Sequence, residues 1–212
     1  MTKLMKTVAI LAVCLAGPSA RATPAATADE AAKHTMQQLP GLGAKALRKV
    51  GLSGADDVRK SALDAPLKIY LVGLDALRAH AGREADEVPR VDLQQMLYPV
   101  VANGEVISSL GVQRTAQGWE TGEISSPELA KLVVQVRRAA MAAEKRGASS
   151  YYLVQIPALQ MVFVAQGERE LTLRSVTDLP QIGLAANTAI SGSALFAKLA
   201  IVAQNTEDAP EP

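Results

Sequence analysis

Between residues 96 and 147 the hydrophobic period changes from two to between three and four, and this change constrains the fold more than any other feature of the chain. Residues 96 to 101 form an apolar run. Asn103-Gly104 follows, the dipeptide that most strongly marks a tight hairpin, and residues 105 to 115 read as the returning strand. In that strand Val106, Leu110 and Val112 are expected on one face, with Ser108 as its polar exception. Gln117-Gly118 turns the chain into a third strand over 119 to 124. A helix is expected next: Ser125 and Glu128 have cap spacing, Pro127 sits in the first turn, and Gly147 ends it. Leu129, Leu132, Val133, Val136, Ala140 and Ala143 trace one helical face, while Lys131, Gln135, Arg138 and Glu144 lie elsewhere. An amphipathic helix over 126 to 146 is therefore expected to lie on a sheet.

The flanking segments fit the same plan. A helix is expected over 29 to 38, where Thr27 and Glu30 have capping-box spacing. Pro40-Gly41-Leu42-Gly43 breaks it, a short helix spans 44 to 50, and a third runs after Ser53 to residue 63. Leu67, Ile69 and Leu71 alternate with polar neighbours as a strand, and residues 74 to 90 read as a short helix and loop. Strands are expected at 151 to 156, 159 to 165 and 170 to 176. A loop over 177 to 192 and a helix over 193 to 204 complete the set. The fold class is α+β: an antiparallel sheet of two three-strand meanders packed by one long amphipathic helix. A small N-terminal helical section and a C-terminal helix flank it. The order of three strands, helix and three strands resembles the profilin, PAS and Cache layouts, a resemblance that implies a sensor or docking module.

Residues 1 to 22 read as a secretory signal. Lys3 and Lys6 are basic, residues 7 to 17 are apolar except Thr7, and Ala20-Arg21-Ala22 has the small-x-small pattern before a cut. That stretch of 11 residues falls short of the roughly 20 that span a bilayer. Removal of Lys3, Lys6 and Arg21 takes the formal charge from +1 to −2 and removes Cys14, the one cysteine. The rival reading is a lipoprotein acylated at Cys14, where Leu11-Ala12-Val13-Cys14 resembles a lipobox. The chain thus divides into a signal peptide (1–22), a linker and helical section (23–65), an α+β domain (66–204) and an acidic tail (205–212). Of the 49% apolar residues 37 are Ala and only 7 are aromatic, so the core must come from Leu, Val and Ile.

Composition limits the chemistry. One cysteine excludes a disulfide framework or a multi-cysteine zinc site, and two histidines offer little for a metal centre. Gly51-Leu52-Ser53-Gly54-Ala55 lacks the last glycine of a nucleophile elbow, and Ser53 reads as a helix cap. His34 and His80 read as solvated helix residues. Asp56-Asp57 and Glu84, Asp86 and Glu87 lack the alternation of a calcium loop. No catalytic, metal or cofactor residue is assigned, and the chain is read as non-enzymatic. Residues 29 to 50 resemble a helix-hairpin-helix nucleic-acid motif. The resemblance implies phosphate contact by Gly41 and Gly43, with Lys45, Arg48 and Lys49 in support. Tyr98, Trp119 and Tyr151 fall on the expected strands and are the candidates for partner binding. The expected function is that of an exported binding or accessory protein docking another envelope or secreted protein. Two alternatives stand beside it: a small-ligand sensor or carrier with a pocket between helix 126–146 and the sheet, and nucleic-acid binding through the N-terminal segment.

Overall fold

The computed structural model describes residues 25–49, 51–80, 88–125, 127–168 and 170–206. The leader with Cys14, the acidic residues Glu84, Asp86 and Glu87, residue 126 beside the expected Ser125 cap, and residues 207–212 lie outside them. The fold is mixed helix and sheet, with a mostly antiparallel sheet of many strands.

Local signals set the first elements. The Thr27 hydroxyl caps α1 (Ala28–Gln38) by accepting from the Glu30 N–H at 3.2 Å, and the Glu30 carboxylate accepts from the Thr27 N–H at 3.1 Å. The first turn thus has two of its orphan donors satisfied reciprocally. Its buried residues are Ala28, Ala31 and Ala32, small enough for the helix to lie close on Tyr98, Val100, Leu110 and Val112. After a tight turn at Leu39–Gly41 come α2 (Ala44–Lys49) and α3 (Ala55–Lys60). The third helix stops short of its expected end. The Ser61 hydroxyl donates to the Val58 carbonyl, and Ser61–Leu63 becomes strand β1, antiparallel to residues 100 to 102. Nor is Ser53 the cap: Gly54 holds that position, and the Asp57 carboxylate accepts from the Ser53 N–H at 3.0 Å.

The remaining strands are β2 (Leu67–Leu71), β3 (Val91–Ala102), β4 (Glu105–Thr115), β5 (Gly118–Ser125), β6 (Tyr151–Ile156), β7 (Met161–Gln166), β8 (Thr172–Ser175) and β9 (Ala189–Ser191). Their order is β5-β4-β3-β2-β6-β7-β8-β9, with β1 also pairing β3. The β2–β6 pair is parallel, so the sheet is not wholly antiparallel, and this pair joins its two halves. Asn103 and Gly104 have φ of 52° and 81°, the double left-handed conformation that a type I′ hairpin needs. β9 lies in the stretch expected as loop. It pairs β8, and the Gly192 N–H after it donates to the Leu171 carbonyl.

Helices cover both faces. Successive strand residues point to opposite sides, and Leu153 and Val154 show the division. Leu153 packs with Val133, Val136 and Ala140 of α5 (Pro127–Glu144), whereas Val154 packs with Leu77 of α4 (Leu74–Ala79) and Leu195, Phe196 and Leu199 of α6 (Gly192–Gln204). α1 shares the side of α4 and α6, over β3 and β4. The N-terminal helical section is therefore part of the same fold as the sheet.

Two face assignments differ from the sequence reading. The β3–β4 register skips Ile107, pairing Val100 with Ser108 and Val101 with Val106. This bulge turns Val106 toward Ala130 and Val134 of α5, while Leu110 and Val112 stay against α1. On α5 the buried residues are Ala130, Val133, Val134, Val136, Arg137 and Ala140, whereas Leu132 and Ala143 are exposed. The helix is rotated because Arg137 must point inward. Its side chain is 2% exposed; Nη2 donates to the Asp64 carboxylate at 2.8 Å and Nη1 to the Ala65 carbonyl at 2.6 Å.

Two substitutions test this account. Removing one partner of a buried ion pair costs about 3 kcal/mol, so Asp64→Ala should lower the denaturant midpoint accordingly, and a further Arg137→Met should recover most of the loss. A loss under about 1 kcal/mol speaks against Arg137 as the anchor of α5. Gly51 and Gly104 both have positive φ, but a Cβ on Gly51 would collide with the Ile107 carbonyl oxygen and one on Gly104 meets nothing. Gly104→Ala should cost about 1 kcal/mol and Gly51→Ala at least about twice that. Equal midpoints for the two variants would sink the close approach.

Candidate functional site

The expected partner-binding residues lie mostly inside. Tyr98 and Tyr151 are 2% and 3% exposed, so neither offers a docking surface. Each ring fills the core while its hydroxyl reaches a carboxylate on a helix. The Tyr98 hydroxyl donates to Asp29 in the first turn of α1, and the Tyr151 hydroxyl donates to Glu144 at 2.9 Å in the last turn of α5. Trp119 is half-buried at the start of β5, packed against the α1 cluster.

The Tyr151 contact belongs to a larger polar cluster. The Glu144 carboxylate also accepts from Arg174 Nη2 at 3.1 Å, and Arg174 Nη1 donates to the Asn187 carbonyl at 2.9 Å. Glu144 and Arg174 are 18% and 15% exposed, so this pair is far drier than the open Asp56–Arg59 pair. Gln166 and Thr172 join them around a narrow crevice with no room for a water-sized group. Two buried atoms there, Gln166 Oε1 and Arg174 Nε, have no hydrogen-bond partner. Burial, then the hydrogen bond to Glu144 and its charge, push the Tyr151 hydroxyl up to about 12. Burial and Asp29 push Tyr98 up in the same way. Both tyrosines are thus held protonated as donors, and both Glu144 oxygens are engaged. Chemically the cluster is a clamp between the end of α5 and strands β6 and β8, with its carboxylate tied down.

The place expected for a ligand pocket, between α5 and the sheet, is filled: Val133, Val136 and Ala140 pack directly on Leu67, Ile69, Leu97, Leu153 and Val164. His80, expected to be solvated, is 2% exposed, with its ring 5.8 Å from that of Phe196 and its Nδ1 unpartnered. His34 is exposed and contacts Gln38 at 3.2 Å. Among the described residues no group of His, Cys, Asp and Glu is placed to hold a metal ion, and no helix is long and apolar enough to cross a membrane.

In the helix-hairpin-helix-like segment, Gly41, Gly43, Lys45 and Arg48 are exposed, while the Lys49 side chain lies outside the described residues. Neither glycine has positive φ or a neighbour a Cβ would strike. α2 has only six residues, with the Ala46 and Leu47 N–H groups bonded to the Gly43 carbonyl. The structure brings this segment to the surface but does not bring the phosphate residues together with the aromatic ones. What the sequence reading missed is the set of buried polar links: Arg137 to Asp64, Tyr98 to Asp29, and Glu144 to Tyr151 and Arg174. The one signal for them was position, since Arg137 lies four residues after Val133 and three before Ala140 on the apolar stripe.

The tyrosine shifts give a pH dependence. A hydroxyl whose folded pKa lies above the unfolded value stabilises the fold while protonated. Unfolded chains lose that proton first as pH rises, so stability should fall from the ordinary tyrosine range up through about 12. Glu144→Gln should lower the Tyr151 transition in an ultraviolet titration and leave that of Tyr98 in place. An unmoved Tyr151 would show that burial alone sets it.

No protein-family model matches the chain, and no curated protein or solved structure matches it either. Its function is therefore read from its own geometry.

Proposed function

We propose that this is an exported, non-catalytic binding protein that docks another envelope or secreted protein along the outer edge of β5. Both faces of the sheet are covered by helices, which leaves edges and outer helix faces for recognition. The observation that carries the reading is the outer side of β5. Trp119 exchanges both backbone hydrogen bonds with Ala25, at 3.1 and 2.9 Å, and this is its one pairing on that side among the described residues. By the two-residue alternation of a strand, the N–H and C=O of Thr121 face the same way. A partner in extended conformation gains main-chain hydrogen bonds there, and half-buried Trp119 supplies an apolar contact at one end. Export rests on the leader at residues 1 to 22, and the exported form should begin at Thr23.

A photo-activatable residue at Glu120 tests the edge in the intact cell envelope, with the same residue at exposed Gln204 on α6 as control. A discrete adduct from position 120 and none from 204 is the expected result. Only monomer from both positions, or the same adducts from both, would overturn the docking edge.

A further inference from the structure

Positive charge is concentrated in two segments. Residues 33 to 60 hold six Lys and Arg against two Asp, a formal +4. On the outer side of α5 and just past its end, Lys131, Arg138, Lys145 and Arg146 stand against Glu128, a formal +3. With residues 1 to 22 removed, the rest of the chain carries −9. Lys33, Lys45, Arg48, Lys131, Arg138 and Lys145 are exposed. Arg137, in the middle of the α5 group, is turned inward to Asp64 and contributes nothing outside.

The fold brings the two segments together. Gly51, which follows α2 closely, is packed so tightly that an added Cβ would lie 3.2 Å from the Pro127 ring at the start of α5. Gly51, two residues beyond α2, thus abuts the beginning of α5, from which Lys131 and Arg138 follow about 10 Å apart along the helix.

A solvated basic surface would account for the charges alone, and Lys145 and Arg146 also suit the negative end of the α5 dipole. It does not account for the apolar residues set among them. Four large hydrophobic residues are exposed among the described residues, and two of them lie here. Leu42 sits in the turn before Lys45 and Arg48, and Leu132 sits beside Lys131; each is 37% exposed. Leucines at the level of a row of Lys and Arg match the boundary of an anionic bilayer, where phosphates meet the cations and the leucines enter the acyl margin. A nucleic-acid duplex would use the same cations and leave both leucines in water.

We propose that the surface formed by residues 42 to 48 and the outer side of α5 docks peripherally on an anionic lipid surface. This goes beyond the protein-docking edge of β5 and does not rest on it, since it uses none of the residues of that edge.

Co-sedimentation of the chain from Thr23 onward with vesicles of phosphatidylcholine, with or without phosphatidylglycerol, tests the proposal. Binding is expected only to the vesicles containing phosphatidylglycerol, and it should weaken as salt rises. Each lost charge should lower affinity about fivefold, so Lys131→Gln with Arg138→Gln should lower it on the order of 25-fold. Leu132→Ser should weaken binding without changing its salt dependence. Arg114→Glu, at an exposed position near the end of β4, should leave it unchanged. Thermal melts of each variant confirm that the fold persists. Absence of binding to the anionic vesicles at low salt overturns the proposal, as does equal binding to both vesicle types or an equal loss with Arg114→Glu. Retention of duplex DNA without any binding to vesicles overturns it too, and assigns the surface to nucleic acid.

Discussion

Arg137 holds α5 in register with the sheet. Its guanidinium is buried beneath α5, where it binds the Asp64 carboxylate and the Ala65 carbonyl in the turn between β1 and β2. That turn occupies a particular place: β1 and β2 both pair β3, and β2 also pairs β6. Fixing it against α5 fixes the joint between the two halves of the sheet. Burial lowers the pKa of the guanidinium and Asp64 opposes that effect, the balance of an ion pair whose desolvation is large. Such a pair adds little net stability over an apolar contact of the same shape, but breaking it leaves a charge in the core. Its contribution is to specify one arrangement. With Arg137 inward, α5 takes the rotation that buries Val133, Val134 and Ala140 and exposes Leu132.

This dependence explains which parts of the fold were legible in the sequence. The capping box at Thr27 and Glu30, the Asn103-Gly104 hairpin and the start of α5 at Pro127 are local, and each is encoded within a few residues; the end of α5 is not, since Lys145 and not Gly147 takes the left-handed position after it. β1 and β9 have three residues each and no alternation of their own to announce them. They exist because a distant strand offers backbone partners. The bulge at Ile107 is similarly silent, because alternation along β4 continues in the sequence while the register jumps in space. The buried face of α5 differs by part of a turn from the apolar stripe because Arg137, which lies outside that stripe, is turned inward. Among polar groups, His80 and the tyrosine hydroxyls share that fate. Nothing in a single sequence shows that a His at a helix end meets Phe196, that Tyr98 finds Asp29 on a helix far along the chain, or that Tyr151 turns back to Glu144 on the preceding helix.

The candidate site was less legible than the fold for a related reason. A chain with 7 aromatic residues invites the idea that those on strands form a binding stripe. In the structure the large rings are needed inside. Tyr70 and Tyr152 pack edge to face with centroids 5.0 Å apart, Phe163 and Phe196 are fully buried, and the hydroxyls of Tyr98, Tyr151 and Tyr152 are each bonded to the protein. An Ala-rich chain gains little area per buried residue, so it cannot leave such rings in water. Trp119 escapes complete burial because it lies at an edge.

Recognition is thereby confined by architecture. Strands β6 and β7 have neighbours on both sides and helices on both faces, so no part of their backbone or inner side chains is open to a partner. The edges remain, and they differ: β9 has three residues and β5 has eight. The outer helix faces remain as well, and they differ in charge. α6 presents Ile201 and a single Lys, whereas α5 and the segment from Leu42 through α2 combine Lys and Arg with an exposed leucine each. The inward turn of Arg137 contributes to this too. An outward Arg137 would add charge to the outer surface, but it would break the joint at Asp64 and rotate α5, carrying Leu132 toward the core. The buried ion pair that registers the sheet therefore also sets which apolar residue of α5 is left outside among its cations.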